Sequence, residues 1–316
     1  MARILVVGAG GIGIVVLYAL SRHAEVAAVC RSNFQEAKDN GFTLVSSQFG
    51  GTVKFKVPVY ASPAEAGSNW DYVLVCTKSL LGVPPSMADV IKPAVGPQTA
   101  IALIQNGVGI EDEYTAAFPN NPLLSCVVYL PTTQTAPGVV SADGFDALEI
   151  GIHPPSALAQ HRGKGEGLAE LITKAGVSSN VYDDIQGRRW SKLIINAAWN
   201  PICAVTRSDD VNFMKSSPDA ADLAWRAMSE VVTVARALGY VLDAAPQFAR
   251  AKSRTVGIQP SMMADAFNNR RMEVEAILGN PVRIARRLGI ETPVLDMLYI
   301  LSKALDDGIG RRQKAL

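Results

Sequence analysis

The chain has 316 residues, room for about two domains, and its 30 Lys plus Arg against 29 Asp plus Glu leave a net charge of +1. That balance excludes the basic surface a nucleic-acid binder needs, and 48% hydrophobic with 19% charged residues excludes a disordered chain. No apolar run reaches the roughly 18 residues of a membrane helix, and the first strand is too short and too soon followed by glycines for a signal peptide, so a soluble, cytoplasmic protein is expected. Cys30, Cys76, Cys126 and Cys203 form no CxxC pair and sit in apolar runs such as Val73-Leu74-Val75-Cys76. Together with the spacing of His23, His153 and His161, this predicts neither a disulfide framework nor a metal site.

In chain order, short β-rich runs lie at residues 3–7 and 25–30, and then at 72–76, 101–104 and 124–129, the last three set off by nearby Gly, Pro, Asn or Asp. They are nearly continuous in apolar residues instead of alternating, as strands buried on both faces of a parallel sheet are. The segments between the first of them are long enough for crossover helices, which predicts a doubly wound α/β unit. After about residue 183 the pattern becomes helical. Leu223, Ala227, Met228, Val231, Val234, Ala235 and Leu238 recur at three- and four-residue spacing, with Gly239 as a C-terminal stop. Further helices are predicted over 262–278, over 281–288 with Gly289 ending it, and from Pro293 to 305, leaving Arg311-Arg312-Gln313-Lys314 as a solvated tail. The expected organisation is an α/β domain at 1–183 and an all-helical domain at 184–316. The helical domain could offer an apolar homodimer face, but the sequence shows no decisive patch.

Gly8-Ala9-Gly10-Gly11-Ile12-Gly13 fits G-x-G-x-x-G, follows the first strand and precedes an apolar helical start. In that context Gly8 permits the tight turn, Gly10 lets the backbone approach a pyrophosphate, and Gly13 allows close helix–strand packing. The helix N-terminus supplies N–H groups to the phosphate charge. An acidic residue usually holds the ribose 2′-hydroxyl of NAD after the second strand; here Arg31 suits a 2′-phosphate, so NADP is the expected cofactor.

Two later strands run into Thr77-Lys78 and Gln105-Asn106-Gly107-Val108-Gly109. Ligands of open α/β sheets bind at strand carboxyl ends, so Lys78 and Asn106 are candidates for cofactor or substrate contact. The alternatives are a solvated lysine and an Asn-Gly turn. Lys192, Asn196 and Asn200 stand at i, i+4 and i+8 among Leu, Ile, Ala and Trp, a polar stripe set in apolar helix surface. Two asparagines are poor choices there without a ligand, although the exposed side of an amphipathic helix is the alternative. Ser261 is either a substrate contact or the cap of the helix that follows, with Asp265 near a capping-box position. Glu273 is either a site residue or a surface glutamate.

In order, these segments resemble the ketopantoate reductase (2-dehydropantoate 2-reductase) family over nearly the whole chain. The matching features are the 8–13 loop, Arg31, Thr77-Lys78, Asn106-Gly107-Val108-Gly109, Trp190-Ser191-Lys192-Leu193 with Asn196 and Asn200-Pro201, Ser261-Met262 and Glu273. The resemblance implies a Rossmann-type domain with a helical one, and NADPH-dependent reduction of a 2-oxo acid to a 2-hydroxy acid in a cleft between them. It implies Lys192 as general acid and Glu273 as a second catalytic or substrate-orienting residue. Lys78 then contacts cofactor and substrate, and Asn106, Asn196, Asn200 and Ser261 hold the substrate against the nicotinamide.

Hydride attack on a carbonyl leaves charge on oxygen and requires a proton donor within about 2.6–3.2 Å. Lysine serves both needs, and amides orient a hydroxyl or carboxylate without adding titrating charge. Residues 137–146 follow the family's glycine- and histidine-bearing hairpin only loosely, and Trp199, Met262 and Met263 add bulk near the expected substrate pocket. The competing readings are a relative acting on another 2-oxo acid, an opine or a polyol phosphate, and a non-catalytic NADP(H)-binding sensor.

Overall fold

The computed structural model describes residues 1–315. Its chain divides into two compact units. The first comprises Met1–Thr77, Pro84–Gln105 and Glu111–Ile185; the second comprises Lys78–Val83, Asn106–Ile110 and the described chain from Gln186 onward. A single cut near residue 183 therefore misses two short excursions, one after Thr77 and one after Gln105.

The strands of the first unit are β1 (Arg3–Val7), β2 (Glu25–Val29), β3 (Phe42–Ser46), β4 (Gly51–Phe55), β5 (Val59–Tyr60), β6 (Tyr72–Val75), β7 (Ala100–Leu103), β8 (Leu123–Tyr129), β9 (Thr132–Ala136), β10 (Val139–Ala142), β11 (Ala147–His153) and β12 (Ser178–Tyr182). Eight form one sheet in the order β12-β11-β8-β7-β6-β1-β2-β5. All its neighbours are parallel except β8 and β11. β1 lies centrally, with Val7 in register with Val29 on one side and Val75 on the other. The chain reverses its direction of travel across the sheet at β1, so the carboxyl ends of β1, β2 and β6 converge where such sheets take ligands.

Every residue of β6 and β7 is buried, which is why these strands read as unbroken apolar runs. Of the strands without a predicted run, β11 buries five residues in succession and the others lack that signature. β3, β10 and β9 with β4 make a second sheet, in the order β4-β3-β10-β9. β3 and β10 alternate buried with more open positions, β4 buries no residue fully, and β9 is mostly exposed. The loosely matched segment 137–146 carries the turn and second strand of a hairpin: Gly138, at φ +70°, turns β9 into β10.

The second unit has no strand among the described residues. The helix Gln186–Thr206 buries Leu193, Ile194 and Ala197 with Met228, Val231 and Ala235 of the helix Ala220–Ala237 in one apolar core. Gly239, at φ +94°, stops the latter helix as its pattern predicts.

Two helical expectations are corrected. Residues 262–278 are not one helix: Ser261–Phe267 ends before Asn269, whose φ is +49°, and helical structure resumes only with a π-helical turn over Glu275–Gly279. That turn feeds the helix Asn280–Arg287 just before Pro281, which has no N–H to give to the preceding turn. The final helix runs Pro293–Ala315, so Arg311 to Lys314 are exposed but helical and not a tail. Its inward face continues through Ser302, Asp306 and Ile309, and the two polar residues there hid the periodicity. No helix is long and apolar enough to cross a membrane, among the described residues.

Candidate active site

In the first unit, β1 leads through Gly8, Ala9 and Gly10 into the helix Gly11–Ser21. Gly8 sits at φ +99°, and a Cβ there would lie 2.7 Å from Thr77 Cγ2 and 2.9 Å from the Thr77 nitrogen. A Cβ on Gly13 would fall 2.0 Å from the Gly8 carbonyl oxygen. Gly13 thus lets the helix close on its own loop, with Cys76 Cβ next nearest at 3.4 Å. A Cβ on Gly11 would meet Thr132 Oγ1 at 2.5 Å, whereas nothing lies within 4 Å of one on Gly10. Gly10 is therefore the loop position that faces open space.

The helix that follows has no side-chain cap and no acidic residue in its first turn, leaving its N-terminal N–H groups and dipole available to an anion. Ile12 lies in that first turn, and Arg31 is exposed just past β2. Asn33, which the sequence reading passed over, is 6% exposed and donates Nδ2–H to the Ala9 carbonyl at 2.8 Å. This ties the glycine loop to the end of β2. Open backbone at Gly10, an uncapped helix start and a cation past β2 fit a dinucleotide with its pyrophosphate on the loop.

Lys78 and Asn106 follow β6 and β7 in sequence but pack with the second unit, where they join a continuous polar cluster. Lys192 Nζ donates to Asn106 Oδ1 at 2.9 Å. The Ser79 N–H donates to Glu273 Oε1 at 3.0 Å. The Ser79 hydroxyl lies 3.0 Å from both Glu273 Oε1 and the Asn106 carbonyl, and its one proton serves one of them at a time. Lys78 Nζ is 2.6 Å from Asp265 Oδ2 and 3.6 Å from Glu273 Oε2. Arg270 Nε donates to Asp265 Oδ1 at 3.1 Å.

Glu273 is 4% and Asp265 2% exposed, so neither is a surface carboxylate. Burial works against charge on Lys78, but Glu273 and Asp265 outweigh it and hold its ammonium above the ordinary lysine range.

Residues 106–109 are clamped from the same unit. Gly107, at φ +96°, leaves no room for a Cβ, which would lie 2.5 Å from Ala276. Arg189 Nη1 donates to the Gly107 carbonyl at 2.9 Å, the Val108 N–H to the Ala276 carbonyl at 3.0 Å, and Asn280 Nδ2 to the Val108 carbonyl at 2.8 Å. Asn106 thus stands on a rigid turn, and the plain Asn-Gly turn gives way to a positioned side chain.

Asn196 and Asn200 follow Lys192 at one-turn steps along Gln186–Thr206, the first half-buried and the second 4% exposed. Ser261 opens its helix but does not cap it: Pro260 holds the N-cap position, no side-chain cap bond forms, and Ser261 is exposed. The cluster reaches Asp265, one turn further on, and not the Ser261 hydroxyl. Asp265 had been read as a capping-box residue and is instead the closest partner of Lys78. Asp265 and Arg270 stand near Glu273 in the sequence, but nothing in it ties them to Lys78, and Ser79 carries no signal of its own. A lone acid in the apolar helix Ser261–Phe267 was the available signal for Asp265.

Residues 4–155 match the family model described as "Ketopantoate reductase PanE/ApbA", and residues 184–306 match "Ketopantoate reductase PanE/ApbA C terminal". The chain belongs to the ketopantoate reductase family. An uncharacterised protein of Saccharomyces cerevisiae is 30% identical over 95% of this chain and 92% of its own length. The 2-dehydropantoate 2-reductase of Archaeoglobus fulgidus is 27% identical over 97% of this chain and 99% of its own. Among solved structures, 2-dehydropantoate 2-reductase from Methylococcus capsulatus superposes with a TM-score of 0.83 at 30% identity, covering 97% of each chain. The chain is accordingly an oxidoreductase of the 2-dehydropantoate 2-reductase type, acting on a C=O/CH–OH pair.

Proposed function

We propose that this ketopantoate reductase family member uses NADPH to reduce a 2-oxo acid to the 2-hydroxy acid, with 2-dehydropantoate as the substrate, in pantothenate biosynthesis. The observation that carries the reading is the unbroken cluster from Lys192 through Asn106, Ser79 and Glu273 to Lys78 and Asp265. A protein that only sensed the dinucleotide would not need two lysines and two buried carboxylates assembled in its helical unit.

In this reading residues 1–183 are the dinucleotide domain and 184–316, with the two excursions, the substrate domain. The backbone of Gly8, Ala9, Gly10 and Gly11, with Ile12 and Gly13 at the helix start, holds the pyrophosphate, and Arg31 pairs with the 2′-phosphate. When bound, NADPH supplies the hydride.

The chain's own residues do the rest. Lys192 Nζ gives the proton to the oxygen of the reduced carbonyl, and its charge stabilises that oxygen as the bond order falls. Asn106 Oδ1 accepts from Lys192 and aims it, on the turn clamped by Arg189 and Asn280. Glu273 is fixed by the Ser79 N–H and orients the substrate hydroxyl. Asn196, Asn200 and Ser261 bind the rest of the acid. Lys78 contacts substrate and cofactor while Asp265 fixes its ammonium. All four cysteines are thiols, which suits a reducing compartment and the cytoplasm as the place of work.

The test is the loss of NADPH absorbance when purified protein meets a panel of 2-oxo acids. Turnover of 2-dehydropantoate well above the others is the expected result. Preference for a different oxo acid would remove the pathway assignment, and silence across the panel with NADPH bound would remove the reaction.

A further inference from the structure

Glu273 stands where the chain has no regular structure. The helix Ser261–Phe267 ends before Asn269, at φ +49°, and helical structure resumes only at Val274. Residues 270–273 belong to neither a helix nor a strand, so no regular element fixes the backbone beneath the carboxylate that the Ser79 N–H reaches at 3.0 Å. A site group displaced by about 1 Å can lose about 10² in rate. This stretch therefore needs something to hold it.

The final helix, Pro293–Ala315, supplies the holder. Asp306, Gly310 and Gln313 stand at i, i+4 and i+7 and share one of its faces. Asp306 is 3% exposed, and its Oδ1 accepts the Met272 N–H at 2.7 Å, one residue before Glu273. Arg271 closes a fork on the same carboxylate, with Nε 3.0 Å from both oxygens and Nη2 2.6 Å from Oδ2. Charge-assisted forks of this kind fix geometry as well as adding energy. Gly310 is buried, and a Cβ there would lie 2.9 Å from Arg271 Nη1. The helix thus omits a side chain where the guanidinium lies. Gln313 then donates Nε2–H to the Asn269 carbonyl. An ion pair kept for stability alone would need the fork, but not a backbone bond, a gap and an amide all directed at residues 269–272.

We infer that Asp306 is a positioning residue for Glu273, acting through Arg271 and the Met272 N–H. The inference rests on the substrate-orienting role proposed for Glu273 and explains how that carboxylate keeps its place. Ser79 fixes the carboxylate oxygen, and Asp306 fixes the backbone that carries it. Arg270 precedes the fork by one residue and bonds to Asp265, so the same seat also steadies the partner of Lys78.

Steady-state kinetics of the full chain, with NADPH and the 2-oxo acid it reduces fastest, test this in a double-mutant cycle of Asp306→Asn with Glu273→Gln. Asp306→Asn keeps the shape and should lower kcat/KM for the oxo acid about tenfold, with NADPH affinity within about twofold of wild type. In the Glu273→Gln background the same change should cost less than about twofold, because the group it aims is already gone. A purely structural ion pair would cost the same factor in both backgrounds; that result, or no loss in the single variant, would overturn the inference while leaving the role of Glu273 standing. Full turnover in Glu273→Gln would instead remove the role of Glu273, and the inference with it. Gly310→Ala keeps every charge, favours the helix and displaces the guanidinium, so it should show the same dependence on Glu273 at about threefold without a lower melting temperature. It replaces Asp306→Asn in the cycle if that variant does not fold. Hydrogen exchange gives a readout apart from activity: residues 268–274 should exchange faster in Asp306→Asn than in wild type, and those around Lys192 should not. Unchanged exchange at 268–274 would also overturn the inference.

Discussion

Residues 8–13 are shaped by side chains that are missing, whereas the cluster around Lys78 and Glu273 is shaped by side chains that meet from far along the chain. In the loop, the constraints are mainly steric ones on absent side chains: Gly13 against Gly8, Gly8 against Thr77 and Gly11 against Thr132. In the cluster, Lys78 meets Asp265 across 187 positions, Ser79 meets Glu273 across 194, and Asn106 meets Lys192 across 86. The loop should therefore fail by overlap, and the cluster by loss of charge and hydrogen-bond partners.

The sharpest break of that comparison lies within the loop itself. Gly13→Ala places a methyl on the Gly8 carbonyl and should cost about 2–3 kcal/mol of stability as well as NADPH binding, by overpacking against backbone. Gly10→Ala meets no atom within 4 Å, so its melting curve should match wild type while NADPH affinity, measured by titration, falls. Equal stability losses in the two variants would remove the distinction between packing and ligand-facing glycines.

In the cluster, Asp265→Asn keeps the shape and removes the charge. Lys78 is 39% exposed at its side chain and can turn to solvent, so the expected cost is about 1–3 kcal/mol, below that of a fully buried pair. The oxo-acid KM should rise more than kcat falls, and an unchanged KM would show that Lys78 does not depend on Asp265. Arg31→Ala should weaken NADPH by about tenfold or more while leaving NADH nearly unchanged; equal losses would end the 2′-phosphate role.

The smallest effect is in pH. The Lys78 pKa lies above its ordinary 10.5 in the folded chain, so its ion pairs stabilise fully below that value. Their contribution is lost as pH rises through the higher folded value. The melting-temperature gap between wild type and Lys78→Met should hold steady at neutral pH and shrink above about 10.5. A gap that widened with alkalinity would contradict the assigned direction.

The same contrast governs what could be read in advance. β1, β2, β6, β7 and β8 were legible because burial on both faces makes them continuous apolar runs. β3, β4 and β9 were not, since one face or both meets solvent and their Thr, Lys and Gln carry no such signal. The tight packing at Gly8 and Gly13 and the open backbone at Gly10 were legible from local spacing. Lys78, Asn106, Lys192 and Glu273 were nameable as positions, but Asp265 as the partner of Lys78 was not, because no pattern within one helix reports a contact that distant. The inward face of the last helix was hidden for a related reason: buried Ser302 and Asp306 interrupt its apolar periodicity.

The most direct test of the account pairs wild type with Lys192→Met in stopped-flow reduction of 2-dehydropantoate, with NADPH affinity measured on both proteins. Turnover should fall by about 10²–10⁴ while NADPH affinity stays within about twofold. Near-wild-type turnover in Lys192→Met would contradict it, because the proton would then come from elsewhere.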